Sequence, residues 1–351
     1  MNLRPIAFML FAALLIGFVA CDNADDETTP PEVVDDTPER LAAAATNYAD
    51  IVLANYEDSY NTAVALRDAI NSFVDDPTEE KFLDCKNKWL QARIPYGQTE
   101  AYRFYGGPID DEDGPEGLIN AWPMDENFID YVEGMPDVGL INNPTVYPTI
   151  DKPLLIDLNE KESEESIFTG YHAIEFLLWG QDLSTTSAGQ RPYTDYLPTG
   201  GTASNQDRRG LYLKTVADLL VDHLGEVRDE WTANGAYRAT FLGLSNSDII
   251  TNIFGALSEL SKGELSGERM FVAVDSKDQE NEHSCFADNT IVDIKQNFQG
   301  LVNVYTGTYS RTNGAVVSGE SYQDIAADLD ATKAQAFDNA ISVARLKINT
   351  I

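Results

Sequence analysis

Tyr48-Ala49-Asp50-Ile51-Val52-Leu53-Ala54-Asn55-Tyr56 begins a stretch in which Tyr48, Val52, Tyr56, Ala63, Leu66, Ile70 and Phe73 fall at steps of three, four and seven. That spacing lines one face of a helix with apolar side chains and leaves the other to water. Directly after it, Asp76-Pro77-Thr78-Glu79 reads as an N-cap, a proline at N1 and a glutamate at N3. It starts a second helix through Phe82, Cys85, Trp89 and Arg93, perturbed at Pro95. Residues 102–120 hold many glycines and acids and read as loop, and 133–158 is irregular and proline-rich. Helix resumes over 165–179, and 185–207 is a long connection with several glycines and prolines. Beyond it, Leu213, Val216, Leu220, Leu224 and Trp231 form one stripe, and Ile249, Ile253, Leu257 and Leu260 another. Further helical runs are expected over 271–274, 291–305, 325–329 and 337–346. No alternating run is long enough for a sheet. The expected fold is all-α, two helical-bundle domains over 40–204 and 205–351.

The amino terminus reads differently. Arg4 precedes a short apolar run over 7–20, too short to span a bilayer comfortably, which ends at Phe18-Val19-Ala20-Cys21. It resembles a bacterial lipoprotein signal peptide, 1–20, with Cys21 as the lipidated first residue; Phe18 departs from the aliphatic residue usual there. Residues 21–39 are acidic and proline-containing, the composition of a disordered tether. The expected location is therefore the cell envelope, lipid-anchored through Cys21 at the outer membrane, with the acidic run resembling a signal for surface exposure. A net charge of −34 argues against nucleic acid and against adhesion to anionic lipid. Much of it reads as a solvated acidic surface. Besides Cys21 there are only Cys85 and Cys285, too few for a disulfide scaffold, and the sequence does not say whether they pair.

Gly170-Tyr171-His172-Ala173-Ile174-Glu175 carries the chemistry. There are three histidines in 351 residues, and this one lies in an apolar segment with a carboxylate three residues on. Residues three apart share a helix face, so His172 and Glu175 are placed either to grip one metal ion or simply to bond to each other.

Other landmarks follow in order: Trp89-x-x-x-Arg93, Gln98-Thr99-Glu100-Ala101-Tyr102-Arg103-Phe104, Ala121-Trp122-Pro123, Gly267-Glu268-Arg269-Met270, and the run from Glu282 through His283 to Thr290, then Asn303-Val304-Tyr305. With the GxHxxE motif they resemble the imelysin-like family of exported bacterial proteins, which includes iron-regulated lipoproteins. The resemblance covers the chain from about Leu41 onward. It implies two all-helical domains with a site at their junction and a link to iron acquisition. It also implies an association with metallopeptidases.

Two chemistries are open to these residues. Metal binding without turnover takes His172 and Glu175 as ligands, with Glu100, which the resemblance marks, and Glu282 closing the shell and Asp125 and Asp288 in reserve. The metal would be iron or zinc. Arg93 and Gln98 fall in the supporting set, Arg93 to pair with an acid or hold an anionic ligand. Ser284 and Asn289 offer neutral donors or a helix cap. Partners would be the ion or an iron-containing ligand, the membrane through the anchor, and an iron-uptake protein. The alternative is a zinc peptidase using His172, Glu175 and the distant His283. Ala173 and Phe176 exclude HExxH and its inverted form at this helix. His223 reads as a helix-surface or packing residue.

Overall fold

The computed structural model describes residues 35–351. The signal peptide expected over 1–20, lipidation at Cys21 and most of the 21–39 tether lie outside the described residues. Helix begins at Thr37, so the last residues assigned to the tether are helical instead. Pro38 sits in the first turn, where a missing N–H leaves no bond unmade, and Glu39 faces the positive end of the helix dipole.

Helices α1 (Thr37–Asp75) and α2 (Glu79–Thr99) form a hairpin whose connection is too short for any other arrangement. All seven apolar residues of the first stripe are buried in α1. Thr78 rather than Asp76 caps α2, its hydroxyl accepting from the Lys81 N–H at 3.3 Å. Helix α2 continues through Pro95, whose carbonyl accepts from Asn55 of α1 at 2.8 Å. The irregular region that follows holds only short helices: α3 (Glu116–Ile119), α4 (Gly139–Asn142) and α5 (Lys152–Leu158).

Next come α6 (Gly170–Trp179), starting later than its apolar pattern, then α7 (Gln206–Trp231), α8 (Ala236–Leu242) and α9 (Asn246–Glu259). Helix α9 runs on into a π-helix, Leu260–Phe271, and then α10 (Val272–Ser276). The last helices are α11 (Thr290–Thr306), α12 (Tyr322–Leu329) and α13 (Ala331–Ile348). A small antiparallel hairpin, β1 (Thr308–Ser310) with β2 (Val316–Ser318), departs from the expectation of no sheet. Its strands are too short to show alternation. It is fastened to α1 by Tyr309 and Arg311, both of which donate to Asp58 at 2.9 Å. Among the described residues no helix is long and apolar enough to cross a membrane.

The all-helical expectation is met. The expected boundary at 205 meets a different arrangement, because Thr37–Ile351 forms one compact unit. Helix α7, which opens the expected second half, packs along α1 and α6 of the first. One apolar core runs from Ala44 in α1 to Ile325 in α12, with a small satellite of Leu265, Ile294, Phe298, Val302 and Ile348. Cys85 and Cys285 are both buried and unpaired with each other.

Candidate functional site

Every residue of α6 is buried, so a histidine and a glutamate there must find partners within the protein. Gly170 opens the helix at φ +82°, and a Cβ on it would lie 2.4 Å from the carbonyl oxygen of Ile119. The motif's glycine is thus required twice over, by conformation and by close approach. One turn later, His172 Nδ1 stands 2.8 Å from Glu175 Oε2. The other carboxylate oxygen accepts the Ala287 N–H at 2.9 Å. The two side chains meet as their spacing requires.

His283, in the segment before α11, completes the arrangement. Its Nε2 faces His172 Nε2 at 3.2 Å, and its Nδ1 lies 2.8 Å from Asp293 Oδ2. Asp293 is the hub of this half. It takes Arg93 through Nε (3.3 Å) and Nη2 (2.8 Å), the Ser284 hydroxyl at 2.6 Å and the Asn289 amide at 3.0 Å. Arg93 donates its remaining Nη1 to Asn120 Oδ1 at 2.6 Å. The result is a linear chain, Glu175–His172–His283–Asp293, joining α6 to α11 with all four groups buried. The half-buried Trp122 ring lies 4.8 Å from the His172 ring and 6.1 Å from that of His283.

Electrostatics assign the protons. Burial would raise the Asp293 pKa, but Arg93 and His283 overcome that and hold it well below the usual carboxylate range. Glu175 has no guanidinium of its own, and burial drives its pKa well above normal. Burial likewise keeps His172 neutral, and lowers His283 to about 4 with Arg269 adding to the effect. An ionised Asp293 accepts a hydrogen bond from His283 Nδ1–H. His283 Nε2 is then an acceptor, so His172 Nε2 must be the donor and its Nδ1 an acceptor, which requires a protonated Glu175. Each group's shift agrees with that one sequence of donors.

The remaining expected residues lie elsewhere. Glu100, expected as a ligand, is buried between Arg103 (2.9 Å) and Arg269 (2.8 Å). Burial would raise its pKa, but these cations bring it down to about 2, so it is a counter-ion for arginine. Glu282 accepts from Thr290 Oγ1 at 3.0 Å, and the chain direction there turns His283 rather than Glu282 toward α6. Asp125 caps the short 3-10 helix Glu126–Phe128, Asp288 is exposed at a left-handed turn, and Gln98 bonds Gln296 across the α2–α11 contact. Asn289 spends its side chain on Asp293 and makes no helix cap. His223 is buried on α7, the packing alternative rather than the surface one. Asp293 was not foreseen; its only local signal is an acid three residues into α11.

A helical protein whose buried histidine pair is braced at each end by a carboxylate is the class these features define. The chain belongs to the imelysin family, whose model matches residues 52–351. It is 24% identical over 296 residues to an iron-regulated protein A of Synechococcus elongatus, covering 84% of this chain and 71% of that one. Two solved structures share the fold. One, described as an iron-regulated protein A precursor from Parabacteroides distasonis, has a TM-score of 0.66 at 17% identity, covering 90% of this chain and 86% of that one. The other, an imelysin-like protein from Psychrobacter arcticum, has a TM-score of 0.61 at 14% identity, covering 90% and 85%.

Proposed function

We propose that this protein binds a metal ion, iron as cargo, between the Nε2 atoms of His172 and His283, and serves iron acquisition at the cell envelope. The observation that carries this is the 3.2 Å separation of those two nitrogens. Neighbouring nitrogen ligands roughly 2.1 Å from one ion lie about 3.0 Å apart in octahedral and about 3.4 Å apart in tetrahedral geometry. Both rings are also turned by a carboxylate on Nδ1, the support that metal-ligating imidazoles ordinarily have. Glu175 therefore orients a ligand rather than acting as one. No group of three or more His, Cys, Asp or Glu among the described residues is placed to hold an ion, so the other positions fall to water or a bound molecule. The peptidase alternative would need Glu175 as a third ligand, but Glu175 lies against Nδ1 of His172, on the side of the ring away from His283. Iron is favoured over zinc by the names of two relatives, both iron-regulated proteins.

Elemental analysis tests the site. Wild-type chain purified without affinity metal and titrated anaerobically should hold one iron or zinc ion, and His172→Ala and His283→Ala should each lose it while remaining folded. An equal metal content in all three sinks the reading. For location, the chain should fractionate with membranes through Cys21 and be cut by protease added to intact cells. A soluble chain, or one protected from the protease, removes the anchor or the outward orientation respectively.

A further inference from the structure

A cavity of about 460 Å³ meets the pair at His283, with Trp122 and Asn120 also in its wall. Five glutamates line it against two arginines. Both guanidiniums are already engaged. Arg103 pairs with Glu100 and Glu116 at 2.9 Å, and Arg269 with Glu100 at 2.8 Å and Glu264 at 3.2 Å. Glu160, Glu164 and Glu268 are exposed, and no ion pair among the described residues reaches them. The cavity thus presents unneutralised negative charge outside and a buried imidazole within.

We infer that this cavity is the entry path to the histidine pair and selects its metal by charge: the ion arrives as a hydrated cation, and anionic carriers such as citrate chelates or haem propionates are repelled. This rests on the metal reading of His172 and His283 and deepens it by naming the form of the cargo. A concave wall of one sign focuses field lines, raising the local cation concentration and the association rate by tenfold or more. Three exposed carboxylates also act over a distance that salt shortens, so the effect is strongest at low ionic strength.

Stopped-flow uptake by the full chain, with Fe²⁺ alone under anaerobic conditions and with Zn²⁺ alone, tests this. The Glu160→Gln/Glu164→Gln/Glu268→Gln variant should load about tenfold more slowly at low salt and lose most of its salt dependence. A charge-matched control outside the cavity, Glu80→Gln/Asp84→Asn/Glu226→Gln, should load at the wild-type rate, and Fe³⁺–citrate should deliver no metal on the same timescale. Wild-type rate and salt dependence in the cavity variant overturn the inference, as does faster loading from Fe³⁺–citrate than from Fe²⁺. In either case the histidine site survives, because the wild type still binds the ion. A wild type that binds neither ion overturns both readings together.

Discussion

His172 and His283 meet through two nitrogens with room for only one proton between them. On the proposed metal binding, that proton is what an arriving ion would have to replace. In the ligand-free chain His172 Nε2–H donates to His283, while a second proton is held between His172 and Glu175. An ion held by both Nε2 atoms would expel the first. The second would then pass to His172 Nδ1, leaving Glu175 ionised. Binding should therefore release about one proton per ion, and affinity should rise with pH. The sign agrees with the neighbours: burial raises the Glu175 pKa, so its proton is present in the ligand-free state and available to keep His172 neutral. Calorimetric titration in buffers of different ionisation enthalpy would count the protons. A count near zero contradicts this tautomer assignment.

Where α2 crosses α11, the two helices touch through glycine. A Cβ on Gly300 would stand 2.2 Å from the Gln98 carbonyl oxygen, and one on Gly97 would stand 2.8 Å from Gln296 Cβ. Asn297 seals the crossing by donating to the Gly97 carbonyl at 2.9 Å. The same crossing carries Arg93 of α2 to Asp293 of α11. Gly300→Ala must push the helices apart, and overpacking of this kind costs about 1–3 kcal/mol. Denaturant unfolding should show that loss, and stability equal to wild type would mean the contact is not tight. The π-helix serves a neighbouring purpose. Its residues Glu264 and Arg269 are five apart, the spacing that its wide turn bonds, and Arg269 lies 3.2 Å from Glu264 while reaching Glu100.

Over the described residues, α1 ties the early helices to the late ones. It packs on α2 and α7, and also on α8, α9 and α12. A core continuous from Ala44 to Ile325 leaves no plane along which one half can come away intact. Tryptophan fluorescence and far-UV circular dichroism should therefore report one coincident unfolding transition. Two separated transitions would show that the halves expected on either side of residue 205 are independent after all.

The helices themselves were legible in the sequence because apolar spacing is a local property, and the stripes of α1, α7 and α9 are buried where their periods place them. So was the His172–Glu175 contact, since three-residue spacing on a helix settles it without reference to anything else. What that contact is for was decided by tertiary structure. His283 lies 111 residues from His172, and Asp293 lies 200 from Arg93. No local pattern tells a distant histidine from a nearby glutamate as the partner of α6. Glu100 and Glu282 have the right chemistry and adjacent landmarks, yet they are drawn to arginine and threonine, because a buried carboxylate goes to whichever donor the packed helices bring within reach.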